Sequence, residues 1–297
     1  MKALCIGHIT YDTTLILEEY PLKNKKIDTN KKEEGPGGPA TIAALLLSKW
    51  KVDTKLIGQI GEDESGKKIK KILEKNKINT ENIYKTNQTD QSYIIAENQN
   101  RTVITYEPNG PLNENIEIEK PDIILIDGFE PKISLDILKK YNKTKSVMDA
   151  GRYTHGMLSL AKEVDYLICS KDFAEDFTNI KIQDQKDLIK VYKKMEKTFT
   201  NTLIITLGEE GCIYTYKNTL KKMPSLKVKV KDTTGAGDIF HGAFTYAITK
   251  YDLETAIKIA TISSAISVTK IGAYNSIPSL EEMWSVYSDI KWSNIYR

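Results

Sequence analysis

At 297 residues, 40% of them hydrophobic, the chain has room for one large α/β domain or two smaller ones and enough apolar residues to bury a core. Its 43 Lys and Arg are interspersed with 40 Asp and Glu, leaving a net charge of only +3. No basic patch suited to nucleic acid stands out, and the run Lys23–Lys26 with Lys31 and Lys32 reads as a solvated loop. Cys5, Cys169 and Cys212 each fall in an apolar, strand-like run, far apart in sequence. That fits buried free thiols rather than a disulfide framework. Neither they nor His8, His155 and His241 show metal-site spacing. The chain starts directly in a strand pattern without signal-peptide features, and no apolar run reaches membrane-spanning length. The expectation is a cytoplasmic protein with neither a membrane nor a nucleic-acid partner.

Ala3–Ile6 is a short apolar run ending in Gly7-His8, the pattern of a buried parallel strand. Asp12 follows, then the β-rich piece Thr13–Leu17. Ligand-binding groups of α/β folds collect at strand carboxyl ends, so Asp12 is a candidate for holding hydroxyl groups; an Asx-turn explains it equally well. Gly35–Gly38 forms a loop, Pro39 suits a first helical turn, and Ala40–Trp50 is apolar nearly all round, so that helix packs deeply. Gly37 and Gly38 permit close backbone approach to a ligand, or only a steric turn. Thr54–Ile60 reads as a strand, and the acids Glu62, Asp63 and Glu64 favour the start of a helix ending near Lys75. Ser92–Glu97 and Arg101–Glu107, joined by Asn98–Asn100, form a hairpin pattern.

Downstream, the strands Asp122–Asp127, Ser146–Asp149 and Asp165–Cys169 alternate with helices at Ser134–Tyr141 and Leu158–Lys162. This alternation argues for a mostly parallel sheet covered on both faces. Arg152 is a candidate substrate or phosphate contact, and also reads as an ordinary surface arginine. Leu188–Phe199 is an amphipathic helix; Thr202–Leu207 is a strand that turns through Gly208–Gly211 into Cys212–Tyr216. Leu226–Val230 is strand-like and precedes the helical run Ile239–Lys250. Further helices are expected at Ala256–Lys270 and Leu280–Tyr287.

Between Val230 and Ile239 lies Asp232-Thr-Thr-Gly-Ala-Gly-Asp238. A Gly-Ala-Gly turn that opens a helix presents N–H groups lacking intrahelical partners, at the positive end of the helix dipole. Such a turn is an anion site. Asp238, next in sequence and expected to stay ionised at neutral pH, can take the proton of a hydroxyl held beside the anion, the pairing phosphoryl transfer needs. A tight turn with a first-turn acid explains the bare pattern as well. The full string, continued by Ile239-Phe-His-Gly-Ala-Phe244, closely resembles the C-terminal signature of the ribokinase/PfkB carbohydrate kinase family. Gly37-Gly38 resembles that family's N-terminal signature, in which two glycines lie against the sugar; the sugar-binding Asn expected four residues later is replaced by Ile42. Thr206-Leu-Gly-x-x-Gly211 and Gly272–Pro278 resemble its nucleotide loops. The likeness runs from Asp12 to Pro278.

The resemblance implies an α/β fold of the ribokinase-like three-layer type in a single domain over 1–297. Its mostly parallel central sheet would be covered by helices, with a small β-lid from about 13–34 and 88–108 that covers the sugar and is a candidate homodimer clasp. It implies an ATP-dependent phosphotransferase acting on a hydroxyl of a small sugar, such as ribose or a ketohexose. Asp238 would be general base, and Gly235, Ala236 and Gly237 the anion hole. Asp12, Gly37 and Gly38, with Arg152, would hold the substrate, while Thr206, Gly208, Gly211, Thr261 and Gly272 would hold ATP. Mg2+ would accompany the phosphates, and K+ would sit in a cation loop of Asp232, Thr234, Gly272 and Ser276. Relatives organise magnesium with Asn-x-x-Glu after the strand at Asp165–Cys169; this chain has Ser170–Glu175, closer to the ketohexokinase-like variant, which leaves Asp172 and Glu175 as candidates. The alternatives are a nucleoside acceptor, a sugar-phosphate acceptor using Arg101 or Arg152, or a catalytically silent binding homologue. A dinucleotide-dependent oxidoreductase is disfavoured, because no Gly-x-Gly-x-x-Gly follows the first strand.

Overall fold

The computed structural model describes residues 1–97, 100–154, 156–290 and 292; Asn98 and Gln99 of the hairpin connector, and His155, lie outside the described residues. The N-terminal half runs β1 (Lys2–Ile6), β2 (Thr10–Leu17), β3 (Lys32–Gly37), α1 (Pro39–Lys49), β4 (Asp53–Gly61), α2 (Glu64–Lys75), β5 (Ile83–Thr86), β6 (Asp90–Glu97) and β7 (Asn100–Tyr106). Next come β8 (Ile123–Ile126), α3 (Pro131–Lys140), β9 (Lys145–Ala150), α4 (Met157–Glu163), β10 (Tyr166–Ser170), α5 (Lys171–Thr178) and α6 (Gln185–Glu196). The C-terminal part contains β11 (Thr202–Thr206), β12 (Cys212–Tyr216), β13 (Thr219–Met223), α7 (Ala236–Ala247), α8 (Leu253–Ser267), the short α9 (Ala273–Ser276) and α10 (Leu280–Asp289).

Nine strands form one sheet in the order β13-β12-β11-β10-β9-β8-β1-β4-β5. The strands from β5 to β11 pair parallel, while β12 and β13 are antiparallel additions. β8 reads Ile-Ile-Leu-Ile and every residue is buried, as a strand covered on both faces requires. One apolar cluster lies on the face carrying α1, α7 and α8, and a second on the face carrying α3, α4, α5 and α6. The two clusters make three layers, with strand carboxyl ends gathered along one edge where ligands of such sheets bind. Four further strands form a second sheet in the order β3-β2-β6-β7. No helix among the described residues is long and apolar enough to cross a membrane.

One expected strand is absent. Leu226–Val230 has no ladder partners and is largely exposed. The sheet edge it would have taken is occupied by β13, which folds back on β12 through Lys217-Asn218. Both loop residues have positive φ, 49° and 61°, the geometry of a two-residue hairpin turn whose twist matches the strands. Pro224 then ends the edge, since it has no N–H to donate.

The helices start where local chemistry allows. Asp63 caps α2, accepting the Gly66 N–H at 2.8 Å, and also accepts from Thr89 N at 2.9 Å and Thr89 Oγ1 at 2.6 Å. Pro39 occupies the first turn of α1. α7 lies against α1 because Gly242 has no side chain: a Cβ there would stand 3.0 Å from Ala43 Cα. Gly242→Val should therefore push α1 and α7 apart and cost about 2–3 kcal/mol. Urea unfolding measures it, and an unchanged midpoint would show that this contact does not set the helix spacing.

Candidate active site

Along the edge formed by the strand carboxyl ends, the structure brings Asp12 close to Asp238 and to the Gly272–Ala273 loop. At its centre, α7 begins after Gly235, which caps it with φ 77°. A Cβ on Gly235 would lie 2.6 Å from Ala273 Cβ and 2.9 Å from Ala273 Cα, so this glycine is demanded both by its backbone and by the closing loop. Gly237 differs. A Cβ there would meet nothing within 4 Å, so the first turn of α7 opens onto empty space. Its N–H groups point out of the helix without intrahelical acceptors, although Ala236 N makes a long 3.3 Å bond to Thr233 O.

Asp238 lies in this first turn and is half-buried. Burial, then the charge of Asp149, push its carboxyl up to about 7; His241 and Arg101 oppose the rise and Asp12 adds to it. Desolvation and a neighbouring acid thus act against the helix dipole, which favours the ionised form. Behind it, His241 Nδ1 lies 3.0 Å from Asp149 Oδ2 and 2.6 Å from Gly237 O, while Nε2 lies 3.2 Å from Ile168 O. The Asp149 pairing and these backbone acceptors outweigh burial and push His241 up to about 9.

The opposite wall is the second sheet and the loop after β1. Thr10 Oγ1 donates to Asp12 Oδ1 at 2.6 Å, and burial raises the Asp12 carboxyl above its usual range. Gly37 leaves the space that the Asp12 carboxyl fills; Gly38, at φ 92°, packs on the His8 carbonyl. Ile42 is fully buried in α1 and fills core rather than a ligand pocket. His8 pairs with Asp90 at 2.8 Å and stacks on Phe129 with ring centroids 3.4 Å apart. From the same sheet, Arg101 on β7 reaches across to the carbonyl and hydroxyl of Thr233. Arg101 thus lies at the Asp232–Asp238 turn. Arg152 is exposed on the loop after β9.

The remaining candidates divide between open and committed groups. Gly208, at φ 60°, has open space where a Cβ would be, whereas a Cβ on Gly211 would collide with Met223 O. Gly211 is therefore accounted for by its turn. Thr206 Oγ1 donates to Cys169 O at 3.2 Å, and Thr261 is buried within α8. Asp232 is buried and accepts from Thr234 N at 2.8 Å, Thr234 Oγ1 at 2.7 Å and Gly272 N at 2.8 Å. These donors are all uncharged, so none of these contacts brings a protein cation to Asp232, and a monovalent cation would find an oxygen partner there. Ser276 Oγ is spent on Ala273 O at 2.8 Å. Glu175 is spent on Lys181 at 2.7 Å and the Ile182 N–H at 2.9 Å, while Asp172 is exposed at the start of α5. No group of three or more His, Cys, Asp or Glu among the described residues could hold a metal by itself. Magnesium keeps waters and substrate phosphates as most of its ligands, so a sparse protein contribution fits it.

Sequence reasoning did not single out Asp149 and His241 as site residues. The signal was present as an acid ending the buried run Ser146–Asp149 and a histidine inside an otherwise apolar helix. Their meeting depends on α7 crossing the ends of β9 and β10, which no local pattern encodes.

Residues 1–280 match the family model described as pfkB family carbohydrate kinase. A ribokinase of Lactococcus lactis is 26% identical over 309 residues, covering 99% of each chain. A nucleoside kinase of Methanocaldococcus jannaschii is 25% identical over 299 residues, covering 95% of each. Among solved structures, a ribokinase from Thermotoga maritima aligns with TM-score 0.82 at 24% identity, over 97% of this chain and 99% of that one. Arabidopsis thaliana ribokinase complexed with ribose and ATP aligns with TM-score 0.81 at 19% identity, over 96% and 97%. The central sheet and its flanking helices are thus those of a ribokinase-like fold.

The two glycines of the turn should separate in a melting experiment. Gly235→Ala places a Cβ against Ala273 at positive φ and should cost about 2–3 kcal/mol. Gly237→Ala meets nothing and sits in a helix, so stability should hold or rise by about 0.5–1 kcal/mol. Equal melting temperatures for the two variants would contradict the packing described.

Proposed function

This chain belongs to the pfkB family of carbohydrate kinases, and on that premise we propose that it transfers a phosphoryl group from ATP to a hydroxyl of a small sugar, with Asp238 as general base. The observation that carries this reading is the first turn of α7, open to space at Gly237 and followed directly by the half-buried Asp238. Gly235, Ala236 and Gly237 face the transferring group with their N–H donors; Ala236 needs only to release its long bond to Thr233. Asp12, held by Thr10, orients the acceptor hydroxyl across the site, with Gly37 and Gly38 shaping the wall beside it. Asp238 takes the hydroxyl proton as the oxygen attacks. Magnesium, bound with ATP, supplies charge neutralisation on the phosphates. The nucleotide lies toward Thr206, Gly208 and Gly272, and potassium suits the buried Asp232 with Thr234. The second sheet, through Arg101 at Thr233, serves as a lid that excludes water. Its exposed Tyr93, Val103 and Ile104 make it the candidate surface for a homodimer.

A nucleoside acceptor is the second reading, because the M. jannaschii nucleoside kinase is 25% identical to this chain, against 26% for the L. lactis ribokinase. ADP release measured over pentoses, ketohexoses, nucleosides and sugar phosphates, with Asp238→Asn protein as blank, separates the acceptor classes. No turnover with any of them would remove the kinase reading.

Asp238→Asn should lower kcat by about 10³-fold or more while ATP binding, read by calorimetry, persists. Retained turnover would dismiss Asp238 as base. Because the carboxyl titrates near 7 when folded and in the ordinary carboxylate range when unfolded, its ionisation opposes folding above that range. The same variant should therefore melt about 2–5 °C higher at pH 8, a gain that vanishes by about pH 4. In the wild type, kcat/KM should fall on the acid side of about pH 7. Potassium should raise the rate over a tetraalkylammonium buffer of equal ionic strength; identical rates would leave Asp232 a purely structural acid.

A further inference from the structure

His241 belongs to no step proposed so far, yet it lies in the catalytic helix beneath the base. Its two ring nitrogens face only acceptors. Nδ1 is shared between Gly237 O at 2.6 Å and Asp149 Oδ2 at 3.0 Å, and Nε2 points to Ile168 O at 3.2 Å. A neutral imidazole carries one N–H and one lone pair. Either tautomer would set that lone pair against a carbonyl or carboxylate oxygen in a buried site. Only the imidazolium, with two N–H donors, serves both carbonyls and also sets a positive charge 3.0 Å from Asp149 Oδ2. Asp149 supports the same state from the other side: Oδ2 makes no hydrogen bond of acceptable geometry, and the nearby His241 charge is what offsets its burial.

We infer that His241 is a positioning residue, a fixed imidazolium that ties the first turn of α7 to β9 and β10 and sets the ionisation of Asp238. It acts in two ways. The Nδ1–H bond to Gly237 O polarises the peptide whose N–H belongs to Asp238, strengthening a donor in the anion turn. The positive charge also adds to that of the helix N-terminus and counters burial and Asp149, which both favour the protonated form of Asp238. The pair is therefore a balance: one member favours the ionised base and the other opposes it. The groups acting on this balance come from several elements. Asp149 approaches from β9, and Cys169 on β10 remains a thiol because burial pushes it up. Asp238 lies on α7 itself, and Arg101 from β7 and Asp12 from β2 bear on Asp238 from the second sheet.

The kinetic half of this inference rests on Asp238 being the base; the charge of His241 does not. Nitrogen-15 NMR of the histidine side chains, assigned with His241→Gln, should show both His241 nitrogens protonated at pH 8. A neutral ring there would overturn the inference whatever the enzyme's activity. Against kcat/KM profiles, Asp149→Asn should move the acid limb to lower pH and His241→Gln to higher pH, each by about 0.5–1 unit, with the double variant returning toward wild type. A purely structural pair would lower activity in both variants without moving the limb in opposite directions, and that result would also overturn the inference. If His241→Gln does not fold, Asp149→Asn, nearly isosteric with the native acid, decides alone through the direction of its shift. Failure of the base reading is recognised separately, by turnover in Asp238→Asn.

Discussion

The working edge of the molecule is held by buried carboxylates that must find donors, because an unpartnered acid inside the protein is costly. Asp127, at the end of β8, accepts the N–H groups of His8 at 2.8 Å, Ala40 at 3.1 Å and Phe129 at 2.9 Å. One side chain thereby joins the end of β1, the start of α1 and its own loop, and Gly7 leaves the space that the carboxyl fills. Asp232 does the same between the anion turn and the closing loop. Asp63 joins α2 to the approach of β6. The loops of such a site are irregular backbone whose N–H groups have no ladder to join, and these acids supply the missing acceptors.

Much of this was legible in the amino-acid sequence where the signal is local. The alternation of apolar strands with amphipathic helices gives the three layers, the proline at position 39 marks the start of α1, and the Gly-Ala-Gly-Asp string marks the start of α7. Leu226–Val230 shows where local reading fails: its β-rich composition is real, but the adjacent hairpin had already closed the sheet edge. That hairpin was hard to see because Lys217 and Asn218 adopt positive φ without a glycine to announce it. The partnership of Asp149 with His241 and the reach of Arg101 to Thr233 join residues 92 and 132 positions apart in sequence. Such pairs depend on how helices cross strand ends and on how the second sheet lies over the first.

Ile42, at a position where the family resemblance leads one to expect a polar residue, shows how the start of α1 is divided between core and site. α1 is apolar nearly all round because it is wedged between the sheet and α7, and a side chain at position 42 that reached the ligand would have to leave this packing. The glycines before α1 bring backbone against Asp12 and His8, so this wall of the candidate site is shaped by backbone rather than by side chains of α1. Beside that wall lie Asp12, the paired His8 and Asp90, and Phe129 stacked on His8.

The contact between Gly235 and Ala273, reinforced by Asp232 holding Gly272, makes two distant stretches of chain a single mechanical body. Neither stretch can shift without displacing the other, since the gap between them is too small to admit even a methyl group. A ligand that draws the closing loop inward therefore moves the anion turn with it. Thermodynamic reciprocity then requires that any ligand held by one stretch would alter binding at the other by the same factor as the reverse.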